Sequence, residues 1–278
     1  EMNIEVTVLC ENSVFNRVGA IAEHGWSVFI QTDYGNYLFD TGQGLALINN
    51  ARVLRKDLTS IKGIVLSHHH FDHTGGLLDV LALTSFRPVY AHPDLFKESF
   101  SLGKKYPRYI GIPFPRVALE TKGAEFIFNR DFQEVFPGAY LTGEVPRITD
   151  FEVGDKNQVI KTPEGFVKDP LLDDQSLVFE TPKGLFIILG CAHAGIINTL
   201  SHIIKKTGQT KINTLIGGTH LGSLSEKQRE KSIQALQEFD IERIGVSHCT
   251  GMKPSMELAS IYKERFFFCN VGTIIGNN

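Results

Sequence analysis

Six consecutive positions, His68-His69-His70-Phe71-Asp72-His73, hold four histidines and an aspartate, and few folds can use so many ligating groups at one place. The run follows Ile64-Val65-Leu66, a short apolar and β-branched stretch of the kind that forms a buried strand. It precedes Gly75-Gly76-Leu77-Leu78, which reads as the start of a helix. In extended backbone, residues two apart point the same way. His68 and His70 are therefore expected to converge on one metal ion, while His69 points elsewhere. Asp72 and His73 fall at the turn into the helix and can serve a second ion. Imidazole and carboxylate suit zinc, iron or manganese better than calcium. A histidine tag has a similar composition, but it sits at a terminus and not between a strand and a helix.

One cluster supplies only part of a metal site, and its partners should stand at other strand ends. Three histidines do so: His193 in Gly190-Cys191-Ala192-His193-Ala194-Gly195, His220 in Gly217-Gly218-Thr219-His220-Leu221, and His248 in Ser247-His248-Cys249-Thr250-Gly251. Each closely follows an apolar run and lies among small residues that leave a ligand accessible. His24, His92 and His202 lack that context and read as structural. Cys191 and Cys249 flank the expected ligands, where small buried residues are the plainer reading than thiols facing a metal.

The remaining pattern is α/β. Ile4-Glu5-Val6-Thr7-Val8-Leu9 alternates as a half-buried strand does. Strands at 26–31 and 37–40 flank a turn at Asp33-Tyr34-Gly35-Asn36, and a helix follows at 45–54. From Gln175 onward come a hairpin (176–180 and 184–189), a helix at 196–206, a strand at 212–216 and a helix at 226–239. A strand at 244–246, a helix near 256–265 and a strand at 266–269 complete the series. Strands followed by helices in both halves suggest two similar layers packed face to face. The stretch 93–172 is rich in proline and aromatic residues and lacks a helical period. It reads as further core strands interrupted by an elaborated loop region, a common way to shape a substrate pocket. The whole chain, 1–278, is read as one domain.

Composition narrows the partners. A net charge of -3 lacks the basic footprint of a general nucleic-acid binder. No apolar run is long enough to span a bilayer, and the N-terminus has no signal-peptide pattern. Four scattered cysteines without a C-x-x-C pair suggest reduced thiols. A cytoplasmic protein acting on a small molecule, with no membrane or nucleic-acid partner, is the expectation. Its oligomeric state is left open.

His68-x-His70-x-Asp72-His73 resembles the defining H-x-H-x-D-H motif of the metallo-β-lactamase superfamily. Leu38-Phe39-Asp40-Thr41-Gly42 resembles its first motif, His193 matches the third and His248 the last. The resemblance spans about Val6 to His248. It implies an αββα sandwich of two packed mixed sheets flanked by helices, with the metals at one edge. The implied ligands are His68, His70, Asp72, His73, His193 and His248, with Asp40 orienting a ligand histidine from behind. One or two divalent ions are implied, zinc first, with iron, manganese or magnesium as alternatives. One feature departs from the pattern. Where the superfamily places a metal-bridging aspartate, this chain has Gly217-Gly218-Thr219-His220-Leu221, and Asp174 is a reserve carboxylate at the wrong place in the chain.

Three functions remain open on this reading. In hydrolysis, metal-activated water is the nucleophile, Asp72 orients or deprotonates it, and His220 stabilises developing negative charge. In group transfer the cations would neutralise a diphosphate leaving group. The motifs around His193, His220 and His248 are similar to a subgroup that includes synthases joining a dihydropterin methyl diphosphate to an aminobenzene ribosyl phosphate. For such an anionic substrate, the helix starts after Gly42 and Gly195 could present backbone N–H groups. The third reading is a non-catalytic metal-binding protein.

Overall fold

A computed structural model of the chain describes residues 2–277. Two seven-stranded mixed sheets lie face to face. The first runs Ile274–Gly276, Ile4–Cys10, Ser27–Thr32, Gly35–Phe39, Ile61–Val65, Arg87–Ala91 and Ala124–Phe128. The second runs Gln133–Phe136, Ala139–Leu141, Leu177–Thr181, Gly184–Leu189, Lys211–Gly218, Asp240–Ser247 and Phe266–Phe268. Read in these directions, each sheet has three antiparallel pairings followed by three parallel ones. The expected pair of similar layers is present.

Side-chain alternation explains the layering. In Gly184–Leu189, Phe186 and Ile188 enter the core between the sheets, while Leu185, Ile187 and Leu189 face the helices outside. In Gly35–Phe39, Tyr37 and Phe39 point inward and Leu38 outward. A strand covered on both faces has no polar side, so Gly184–Leu189 and the Tyr37–Phe39 end of the other strand are apolar throughout. Tyr37 and Phe136 stack across the two sheets at 3.6 Å between ring centroids. Leu47, Ala51, Leu77, Val80 and Leu81 cover the first sheet. Helix Ile196–Thr207 covers the second through Ile196, Ile197, Leu200 and Ile203. The result is the αββα sandwich. Among the described residues, no helix is long and apolar enough to cross a membrane.

Two expectations need correction. The final helix begins earlier than its pattern suggested, at Met252–Tyr262, because Gly251 (φ 74°) turns the chain into it and Pro254 falls in its tolerant first turn. The stretch 93–172 contributes strands to both main sheets, as expected, but it also builds a third, antiparallel sheet. This sheet is ordered Gly165–Lys168, Gln158–Thr162, Ser99–Leu102, Pro107–Tyr109. Its pairing joins segments more than fifty residues apart, which local pattern cannot reveal.

The helix starts after Gly42 and Gly195 do not offer free N–H groups. Glu23 inserts its carboxylate under the first, where Oε1 accepts from Gln43 (3.0 Å) and Gly44 (3.3 Å), and Oε2 from Leu45 (2.9 Å) and Ala46 (3.2 Å). Glu152 does the same for the second, accepting from Ile197 N (3.0 Å) and Asn198 N (2.8 Å). Glycine is required at both entrances. Gly42 (φ 66°) and Gly195 (φ 100°) are left-handed, and a Cβ on either would collide with the inserted carboxylate. Burial raises the pKa of Glu152 despite these donors. Replacing Glu23 with alanine strands several N–H groups, and we expect a loss of about 2 kcal/mol in urea unfolding. Glu23→Gln, which keeps one acceptor oxygen, should lose less. Equal stability of wild type and Glu23→Ala would refute this capping role.

Candidate metal centre

The site lies at the carboxyl ends of parallel strands from both sheets. Asp40 follows Gly35–Phe39, and His68 closely follows Ile61–Val65. His193, His220 and His248 follow Gly184–Leu189, Lys211–Gly218 and Asp240–Ser247. The strands must end abruptly to turn these side chains inward. Asp40, Ala192, His220 and His248 accordingly adopt left-handed backbone, with φ of 57°, 54°, 56° and 51°. Such conformations cost non-glycine residues free energy and cluster where function demands them.

His68, His70 and His193 converge as a buried group whose ligand atoms lie within 4.8 Å of one another. His68 Nε2 and His70 Nδ1 are 3.0 Å apart, close to the spacing of about 3.3 Å for two nitrogens on one tetrahedral zinc. Among the described residues, His70 Nε2 and His193 Nε2 are buried without a hydrogen-bond partner. Burial, reinforced by the neighbouring histidines, holds all three rings well below the ordinary imidazole pKa. They are therefore neutral, with lone pairs available. Buried neutral nitrogens without partners are costly in an apolar interior, and a divalent cation is a chemical match for them.

A second group centres on Asp72. Its Oδ2 lies 3.0 Å from His248 Nε2, 3.0 Å from His24 Nε2 and 3.9 Å from His73 Nε2. Burial favours a neutral Asp72 carboxyl, but His73 and the hydrogen bonds from His24 and His248 outweigh it and hold the pKa well below the usual range. The sequence suggests a structural role for His24, yet its ring stands against Asp72 beside His248. It stands where a strand begins and not where one ends. A usable signal was Gly25, whose Cβ would lie 2.7 Å from the Asp72 carbonyl oxygen, marking close approach of this loop to the histidine motif. His92 and His202 do have structural partners, Glu144 Oε1 at 2.9 Å and the Thr142 carbonyl at 2.9 Å.

Supporting groups fix the rings. Asp40 Oδ2 is 2.6 Å from His73 Nδ1, and the Asp40 carboxylate also accepts from Ser67 N and Ser67 Oγ at 2.7 Å each. His73 Nε2 is thereby aimed at the site. His69 points away, as expected, and holds Asp173 Oδ2 (2.6 Å) and Ser99 Oγ (2.8 Å). Lys97 bridges Asp169 and Asp173 at 2.7 Å each, so the third sheet is bolted to the histidine motif. Asp174 lies below the site and not between its halves. Its Oδ2 accepts from His193 N at 2.5 Å, and burial, more than its neighbour Asp173, pushes its pKa up to about 7.

His220 packs against His193 at 4.2 Å between centroids, with Nε2 2.9 Å from Ser223 Oγ and Nδ1 unpartnered. The sequence suggests small buried residues for the two thiols, and Cys191 is buried as expected, while Cys249 is only partly buried. Cys191 Sγ lies 3.1 Å from His73 Nε2, and Cys191, His248 and Cys249 form another group within ligand distance. Above these residues is a cleft of about 340 Å³. The third sheet forms one wall through Ser101, Arg108 and Gln158, and Phe71 and Ile110 add apolar surface.

Burial disfavours charge on His73, but Asp40 and Asp72 outweigh it and push the pKa up to about 9. Metal-free protein should therefore carry a proton on His73 at neutral pH, which a cation must displace. Apparent zinc affinity is expected to rise by about tenfold per pH unit toward pH 9. Calorimetry in buffers of different ionisation enthalpy should detect at least one proton released per protein. A pH-independent affinity between pH 6.5 and 8.5, with no proton released, would contradict it.

Comparison with known proteins places the chain among relatives. The model of a family described as the metallo-beta-lactamase superfamily matches residues 21–248. A 7,8-dihydropterin-6-methyl-4-(β-D-ribofuranosyl)-aminobenzene-5'-phosphate synthase of Methanocaldococcus jannaschii is 30% identical, covering 98% of this chain and 96% of that protein. An uncharacterized protein of the same organism is also 30% identical, over 98% of this chain and 99% of its own length. The crystal structure of Tm1679, described as a metal-dependent hydrolase of the β-lactamase superfamily, superposes with a TM-score of 0.81 at 30% identity, covering 98% of each chain.

Proposed function

The chain belongs to the metallo-β-lactamase superfamily, and from that premise we propose that it is a metal-dependent hydrolase of a small anionic substrate. The observation that carries this reading is the group of three neutral, buried imidazoles, two with unpartnered nitrogens, at a cleft that also exposes Asp72. In this reading His68, His70 and His193 hold one divalent ion, and Asp72, His73 and His248 hold a second. Zinc is the first candidate, ahead of iron, manganese and magnesium, because imidazole dominates the donor set. Bound there, the cations supply Lewis acidity, drawing the pKa of a water toward neutrality and neutralising charge on substrate oxygens.

The chain's own groups do the rest. Asp72, held ionised, accepts a hydrogen bond from the attacking water and orients it. His220 Nδ1, without a hydrogen-bond partner among the described residues, donates to the oxygen on which negative charge develops. Burial opposes protonation of His220, but the adjacent Cys249 outweighs it and raises the pKa, which suits a donor. Arg108 is the one Lys or Arg among the residues lining the cleft and is placed to bind the anionic part of the substrate.

Group transfer is the second reading, favoured by the relative named as a synthase. The two differ in the nucleophile. Zinc-loaded protein should be incubated with a phosphodiester, a lactone and a pterin methyl diphosphate in water enriched in ¹⁸O. Hydrolysis places the label in the product, whereas transfer yields an unlabelled adduct only when an aminobenzene acceptor is present. Turnover without label would overturn the hydrolase reading, and no turnover of any substrate would favour a metal-binding protein without catalysis. Chelation should abolish activity and zinc restore it. Asp72→Asn should lower kcat by about 10²- to 10⁴-fold, and His220→Ala by about 10²-fold. Arg108→Ala should act mainly on KM.

A further inference from the structure

The place where the superfamily resemblance calls for a bridging carboxylate is filled by Gly217-Gly218-Thr219-His220-Leu221. Asp174 is engaged elsewhere: its Oδ2 accepts from His193 N, and its Oδ1 lies 3.4 Å from His68 Nδ1 and 3.5 Å from Cys191 N. Two divalent cations held by neutral imidazoles and Asp72 alone would leave a large uncompensated positive charge in a buried site. The missing anion should lie between the two groups of histidines. Cys191 lies there. Its Sγ is within ligand distance of His68 and His73 on one side and of His248 and Cys249 on the other. The residue is 3% exposed, and its sulfur is 3.1 Å from His73 Nε2.

We propose that Cys191 Sγ is the shared anionic ligand of the metal pair, in the role a carboxylate has elsewhere in the superfamily. This rests on the two-metal reading given above. A thiolate has more than one lone pair and can bridge two cations as a carboxylate oxygen does. On binding, the Cys191 S–H bond breaks, its proton goes to solvent, and sulfur–metal bonds form. Cys249 stands beside it as a second thiol, not the bridge. Its Sγ already accepts the backbone N–H of His220 at 3.2 Å, and a Cβ on Gly218 would lie 2.6 Å from it, so glycine there makes room for sulfur. A thiolate bridge also selects among metals, favouring zinc or iron over magnesium.

Cobalt(II) titration of metal-free protein tests this, because thiolate ligation gives a near-ultraviolet charge-transfer band that histidine and carboxylate do not. Wild type should bind two equivalents and develop the band. Cys191→Ser should lose the band and one equivalent, Cys191→Asp should regain the second equivalent without the band, and Cys249→Ser should keep both. Two equivalents bound by wild type without the band would overturn the thiolate bridge and leave the metal reading intact. No cobalt bound by wild type would overturn the metal reading itself. A band that survives in Cys191→Ser but disappears in Cys249→Ser would reject Cys191. Circular dichroism before titration identifies any variant that has not folded, and a wild-type spectrum without the band overturns the thiolate bridge with no variant needed.

Discussion

The site depends on one buried carboxylate. Asp40 is fully enclosed at the end of its strand, and it accepts the backbone N–H and hydroxyl of Ser67 while holding the ring of His73. These contacts tie the end of one strand to the start of the histidine motif. They fix both the path of the chain entering His68 and the orientation of a ring five residues later. The left-handed backbone at Asp40 is sustained by the same contacts, since Asp40 N also donates to the Val65 carbonyl at 2.8 Å. The buried carboxylate is tolerable because Ser67 N and Ser67 Oγ donate to it and the His73 ring lies in hydrogen-bond reach.

The two sheets then supply complementary halves of the centre. The first brings the motif His68 to His73, and the second brings His193, His220 and His248. Neither half has a full set of donors. The geometry of the candidate centre therefore depends on the core between the sheets, where Phe179, Phe186 and Phe39 are fully buried. The third sheet adds the cleft wall and is fastened through His69, so even the histidine that turns away from the centre serves its assembly.

Much of this was legible in the sequence. Strands buried on both faces announce themselves as apolar runs, and period-two spacing separates His68 and His70 from His69. The strand-end histidines were legible because small residues surround them. What escaped was long-range. His24 reaches the site from a loop whose own sequence has no strand-end signature. The thiols looked like small core residues because composition cannot report which way a side chain faces. The third sheet pairs segments separated by most of the excursion. Glu23 and Glu152 are ordinary surface-type residues until the fold brings them under helix starts far along the chain.

Those two inserted glutamates have a consequence for how the protein meets its substrate. Helix starts of this kind are a usual place for phosphate groups to dock, and here both are plugged from within. On the proposed reading, an anion entering the cleft would meet Arg108 and whatever cations the histidines hold, and not these two helix starts. Attraction for an anionic substrate would, on that reading, depend on metal occupancy, with the cation loading first and the anion second.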